Sequence, residues 1–194
     1  MSVAGPQTYF DPRLGARVST VLPGEHLVTA DRGLSIMTLL GSCVAACIRD
    51  PETGIGGLNH FLLPDSAAAS GAASARYGVH AMEVLINGIF RAAGRRGALE
   101  AKVFGGANVM ETASRSTVGE RNAAFVREFL RSEGIPISAE DLGGSRARRV
   151  LFHPGSGRVR VQTAGGTALA EATAAEAALR RADAIAPRRG VELF

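Results

Sequence analysis

Residues 38–64 read Thr38-Leu-Leu-Gly41-Ser42-Cys43-Val-Ala-Ala-Cys47-Ile-Arg-Asp50-Pro51-Glu-Thr-Gly54-Ile-Gly56-Gly57-Leu-Asn59-His60-Phe-Leu-Leu-Pro64. Two apolar runs, 43–49 and 56–63, flank a stretch holding Asp50, Pro51 and Gly54. This reads as strand, tight connection, strand. Working outward, short apolar segments bounded by Gly, Pro or Asp predict further strands at 25–30, 35–40, 100–104, 135–138, 148–152 and 157–162. Val79, Met82, Ile86, Phe90 and Ala93 recur at helical spacing, with Gly94 and Gly97 as the stop. A second helical stripe runs through Val118, Phe125, Phe129 and Leu130 and ends at Gly134. Several strands come first, then helix, strand, helix and more strands. That order is not regular βαβ alternation, so the expected fold class is α+β: a layered sandwich of mixed or antiparallel sheet with two main helices.

Outside this body the signals thin out. Residues 1–20 lack a clear period, carry Pro6 and Pro12, and read as a loosely ordered arm. Residues 21–163 read as one domain. Residues 164–194 form an Ala- and Arg-rich extension, with a short helix expected near 168–185 and Pro187 as its stop. Thr173-Ala-Ala-Glu176 matches a capping box. Residues 64–75, PDSAAASGAASA, read as a solvated connector or as a mobile flap beside the site that precedes them.

The 194 residues are 46% hydrophobic and 21% charged, as in globular proteins with one sizeable core. No apolar run approaches the ~20 residues needed to cross a bilayer, so membrane insertion is not expected. The start of the chain does not read as a signal peptide, so Cys43 and Cys47 are expected as reduced thiols in the cytoplasm. Net charge is +4. The basic residues, all Arg except Lys102, are spread along the chain without interleaved aromatics, so no nucleic-acid partner is expected.

Cys43 directly follows Gly41-Ser42 at the start of an apolar strand. Backbone N–H groups exposed at such a turn can hold an oxyanion. A cysteine nucleophile also needs a base, because the free thiol, with a pKa near ~8.5, is mostly protonated at neutral pH. The plainer alternative is a small buried Cys packed as a hydrophobe. In a hairpin centred near residues 51–54, position 43 lies roughly opposite the region around His60, bringing thiol and imidazole within reach; otherwise His60 is a strand histidine satisfied locally. Thr38, five residues before Cys43, is an ordinary strand threonine or the hydroxyl that orients the imidazole. Cys47 faces the same side of its strand as Cys43, but two cysteines fall short of a four-ligand zinc site, so no metal is expected. His80, with Glu83 on the polar side of a helix, reads as a surface residue, and His26 and His153 have no evident partner. The glycines at 54, 56 and 57 and the pair Gly105-Gly106 lack the strand–loop–helix context of a phosphate loop and read as turns that admit close packing.

The run from Thr38 to Pro51, followed by Gly56-Gly-Leu-Asn-His60-Phe-Leu-Leu-Pro64, resembles the chemotaxis protein family CheD, the chemoreceptor glutamine deamidases. The resemblance continues through Arg76-Tyr-Gly78, Ala81-Met-Glu-Val-Leu-Ile-Asn87, Lys102-Val-Phe-Gly-Gly-Ala-Asn108, Gly119-Glu-Arg-Asn122, Asp141-Leu-Gly-Gly144 and Arg149-Val-Leu-Phe152. It covers about residues 20–163. It implies a layered fold similar to the catalytic domain of the cytotoxic necrotizing factor toxins. It also implies an enzyme that converts glutamine side chains of methyl-accepting chemotaxis receptors to glutamate without a cofactor. Carried over residue by residue, Cys43 is the nucleophile, His60 the general base and Thr38 the third member. Backbone N–H groups near Ser42 and Cys43, at the turn that Gly41 allows, would then position the oxyanion. The implied partners are the cytoplasmic helices of the receptors and a CheC-type phosphatase that some members bind. Two other readings stand beside it: a binding module that regulates such a phosphatase, and a different Cys–His acyl-transfer enzyme.

Overall fold

The computed structural model describes residues 8–63, 71–108 and 118–185. A hairpin of β1 (Thr8–Asp11) and β2 (Ala16–Thr20) comes first, then β3 (His26–Thr29), β4 (Leu34–Leu40), β5 (Val44–Arg49) and β6 (Gly56–Phe61). Helix α1 (Gly71–Ala93), strand β7 (Glu100–Gly105) and helix α2 (Val118–Ser132) follow. The chain continues through β8 (Ile137–Leu142), β9 (Ala147–His153) and β10 (Arg158–Ala164) to helix α3 (Thr167–Ile185). The strands form two five-stranded sheets, ordered β1-β2-β4-β9-β10 and β3-β6-β5-β7-β8. Neighbours are antiparallel except β2 with β4 and β7 with β8, so both sheets are mixed. This is the α+β layered sandwich that the order of elements predicts.

Strands β5 and β6 are covered on both faces. Val44, Ala46, Ile48, Phe61 and Leu63 pack against Met82, Leu85 and Ile89 of α1 and Val126, Phe129 and Leu130 of α2. On the opposite face Cys43, Ala45, Cys47, Leu58 and Leu62 meet Ile36 and Leu40 of β4 and Val150 and Phe152 of β9. Two-sided burial is why these strands read as unbroken apolar runs rather than as alternating ones. The layers are therefore helices, one sheet, then the other sheet, and the inter-sheet layer lies against β5 and β6. Among the described residues no helix is long and apolar enough to cross a membrane.

The structure corrects three expectations. Over residues 8–20 the N-terminal segment is a hairpin built into a sheet, not a loose arm. β2 pairs with β4 from Arg17 opposite Leu34 to Thr20 opposite Met37, and Val18 and Ser19 are fully buried. Arg17, Ser19 and Thr20 dilute the apolar alternation of so short a strand. Second, Gly71–Ala75 open α1 rather than continuing a connector; residues 64–70 of that expected loop lie outside the described residues. A run rich in alanine has high helix propensity. Third, Thr173 and Glu176 sit inside α3, well past its start at Thr167, so they do not form a capping box. Pro187 lies outside the described residues.

Candidate active site

The turn at residues 41–43 feeds into β5, and its three carbonyls are all held from behind. Ala107 N–H donates to the Gly41 carbonyl (2.9 Å) and Gly106 N–H to the Cys43 carbonyl (2.7 Å). Asn122 Nδ2, from α2, donates to the Ser42 carbonyl at 2.7 Å. The Asn122 Oδ1 accepts from Leu63 N–H at 2.9 Å, so one fully buried side chain ties the turn to the end of β6. Gly105 has φ +107° and runs against the Cys43 carbonyl, where any Cβ would overlap it. Only glycine takes that conformation in that space. The glycine pair expected to admit close packing does so here, against the cysteine backbone.

With the carbonyls engaged on one side, the N–H groups of Gly41 and Cys43 converge on the other. Both donate to Oε1 of Glu176 at 3.1 Å. Ser42 Oγ donates to Oε2 of the same carboxylate at 2.7 Å. A Cβ on Gly41 would lie 2.7 Å from Oε1, so glycine there admits the close approach of a carboxylate or carboxamide.

His60 lies on β6 opposite Ala45. Cys43, two residues from Ala45 on the same face, is its diagonal neighbour, a separation that long or aromatic side chains span. Thr38, on β4 of the facing sheet, reaches across the inter-sheet layer. Its Oγ1 lies 2.7 Å from His60 Nδ1 and donates to the Val21 carbonyl at 2.8 Å. A hydroxyl has one proton to give. Because it goes to Val21, Oγ1 accepts from Nδ1–H, and the neutral ring carries its lone pair on Nε2. Among the described residues, Nε2 is the one buried side-chain nitrogen or oxygen with no hydrogen-bond partner. Burial pushes the imidazole down from 6.5 to about 3, against a smaller upward pull from the Val21 carbonyl. The resting ring is therefore neutral, with the Nε2 lone pair buried and unpaired among the described residues.

The structure thus gathers Thr38, Gly41, Ser42, Cys43 and His60 at one place. The register puts His60 opposite Ala45, so Cys43 is offset by two positions from the pairing expected for the hairpin. Cys47 lies on the same face, equally buried, and burial pushes its thiol up despite the Lys102 charge. Among the described residues no group of three or more His, Cys, Asp or Glu side chains is arranged to hold a metal. His80 and His26 are exposed, and His153 Nδ1 pairs with Ser156 Oγ at 2.8 Å. Sequence reasoning missed Asn122 and Glu176. The first announces itself only as an amide on the buried face of an amphipathic helix, and the second imitates a helix cap.

A family model described as CheD chemotactic sensory transduction matches residues 62–163. A protein of Thiobacillus denitrificans is 53% identical over 157 residues, which is 79% of this chain and 77% of that protein. One from Bordetella avium is 50% identical over 155 residues, covering 79% and 69%. One from Xanthomonas campestris pv. campestris is 50% identical over 187 residues, covering 96% and 93%. Each is named a probable chemoreceptor glutamine deamidase CheD. On this similarity the chain belongs to the CheD family.

Proposed function

We propose that this chain is a cytoplasmic amidohydrolase that converts glutamine side chains on the helices of chemoreceptors to glutamate, with Cys43 as nucleophile and His60 as general base. The names of its relatives support the receptor as substrate. The chemistry rests on one observation: the line from the Val21 carbonyl through Thr38 to His60 leaves Nε2 unpaired on the face it shares with Cys43.

In this reading His60 Nε2 takes the Cys43 proton as sulfur attacks the glutamine carboxamide carbon. Burial holds the imidazole neutral at rest, so the proton moves with the attack rather than before it. The oxyanion falls between the N–H groups of Gly41 and Cys43, the latter fixed in advance because Asn122 holds the Ser42 carbonyl of the same planar peptide. The imidazolium then protonates the departing amine, releasing ammonia and leaving a thioester on Cys43. Water, deprotonated by Nε2, attacks the thioester. Collapse of that intermediate frees glutamate and restores the thiol. Thr38 acts as a positioning residue that keeps the proton on Nδ1.

The test is mass spectrometry of a receptor cytoplasmic fragment incubated with the wild-type chain and, in parallel, with Cys43→Ala. A mass change of one amide to one acid at defined glutamines, seen with wild type alone, is the expected result. Equal change with a folded Cys43→Ala protein overturns the nucleophile. Cleavage of the fragment would instead indicate a different Cys–His acyl-transfer enzyme.

A further inference from the structure

The donors assigned above to the oxyanion are occupied, and by the chain itself. Glu176 of α3 is buried, with its Oε1 on the N–H groups of Gly41 and Cys43 and its Oε2 on Ser42 Oγ. A carboxylate taken out of water needs several good donors. These three are the set that a reacting carboxamide would use. α3 also brings Glu171 and Ala175 to a cleft of about 230 Å³ whose other walls include Thr38, His60 and Met37. Leu179, one turn beyond Glu176, packs on the inter-sheet core. The helix is mostly alanine around Glu176, which lets its backbone come close to the turn.

The occupant has the chemistry of the product: a glutamate side chain, presented from a helix, with its carboxylate head in the oxyanion seat. A glutamine fits the same seat. Its carbonyl oxygen would take the two N–H groups, and its amide nitrogen would donate to Ser42 Oγ, which can accept as well as donate. We propose that α3 is a resident product mimic, a helix that fills the seat into which a receptor helix presents its glutamine and competes with it. This rests on the deamidase reading above. It assigns the 164–194 extension a role in regulating that site, and it makes the docked pose of α3 the pose of a substrate helix.

If α3 sits as a substrate helix does, an amide at position 176 should be consumed. The full-length Glu176→Gln chain is purified and the segment holding position 176 is read by mass spectrometry. The expected result is conversion of the introduced carboxamide to carboxylate. A sulfur–carbon bond forms and the carbon–nitrogen bond breaks with loss of ammonia; water then replaces sulfur, giving one ammonia per chain. Conversion should be independent of protein concentration and absent when Cys43→Ala is combined with Glu176→Gln. A receptor fragment is assayed alongside. If the receptor is deamidated while the amide at 176 persists, the inference is overturned and the function stands. If neither reacts, both fall. Full-length Glu176→Ala supplies a second arm. A competitor that is removed lowers the KM for the receptor fragment, by about tenfold or more where the closed form dominates, with kcat unchanged. An unchanged KM overturns the competition.

Discussion

Asn59 and His60 are adjacent on one strand, equally buried, and opposite in behaviour. Asn59 faces the helices: its Oδ1 accepts from Ala46 N–H at 3.0 Å, and its Nδ2 donates to the Ala81 carbonyl at 3.0 Å. His60 faces the other sheet and leaves Nε2 without a partner among the described residues. Cys43 and Cys47 repeat the contrast along one face of the neighbouring strand. Cys47 is packed mid-strand with its thiol pushed up by burial, whereas Cys43 sits at the strand start beside converging N–H donors. Buried polar groups are normally satisfied, and a satisfied one is scaffold. The unsatisfied one, held in place by its neighbours, marks where chemistry is available. On β6 the two sides differ in this way: Asn59 on the helix-facing side is fully paired, and His60 on the inter-sheet side keeps one ring nitrogen unpaired among the described residues.

The largest expected effect separates the two cysteines. Cys43→Ala should lower the rate of receptor deamidation by at least about a thousandfold, as loss of a nucleophile does. Cys47→Ala should leave the rate within a few-fold and cost about 1–2 kcal/mol of stability through lost packing. Parallel rate measurements and urea unfolding of both variants check this, and comparable losses of rate would erase the distinction. Next comes the adjacent pair. His60→Gln should lower the rate on the order of a hundredfold or more, without a matching loss of fold. Asn59→Ala should do the reverse, costing about 1–3 kcal/mol through loss of the buried side-chain bonds to the Ala46 N–H and the Ala81 carbonyl while the folded fraction keeps its rate.

How much of this was legible beforehand follows from the same layering. The run 38–64 was readable because burial on both faces favours apolar residues at successive positions, and the strands from 25–30 onward stand close to where their segments predict them, except β8, which begins two residues later and runs four residues further than expected. That Cys43 and His60 lie on neighbouring strands was readable to within two positions of register, because a tight connection constrains register locally. The link from Thr38 to His60 was harder to read, because it crosses between two sheets and no local period records which sheet faces which. β1 and β2 were lost to the polarity of Arg17, Ser19 and Thr20. Glu176 was misread because a Thr-x-x-Glu string looks the same at a helix start and inside a helix. Its partner lies more than a hundred residues away in the chain.

A smaller effect probes the bond between the sheets. Thr38→Val removes the acceptor for Nδ1–H while keeping the shape of the side chain, so the ring loses its fixed tautomer. The expected loss is on the order of tenfold to a hundredfold in kcat with KM little changed. Thr38→Ser, which keeps the hydroxyl, should restore most of it. NMR of the Nδ1 proton provides the readout that a merely structural role would not move: a sharp, slowly exchanging signal in wild type and Thr38→Ser, lost in Thr38→Val.

The smallest effect is on stability against pH, and its sign follows from which state takes the proton. His60 is held near 3 in the folded chain, against 6.5 for an ordinary histidine. Below 6.5 the unfolded chain gains a proton there that the native chain refuses. The stability that His60 contributes is therefore complete above 6.5 and is lost steadily as pH falls toward 3. Asp31, Asp50, Glu128 and Glu140 are held below their ordinary carboxylate values, so their losses set in at lower pH. From pH 6.5 down to about 5 the wild-type chain should thus lose about 1–2 kcal/mol more than His60→Gln, whose amide can still donate to Thr38 without titrating. Urea midpoints measured across that window check it. Parallel curves for the two proteins would mean that the ring takes up its proton in the native state, and the contrast between His60 and the fully satisfied Asn59 would then be one of geometry alone.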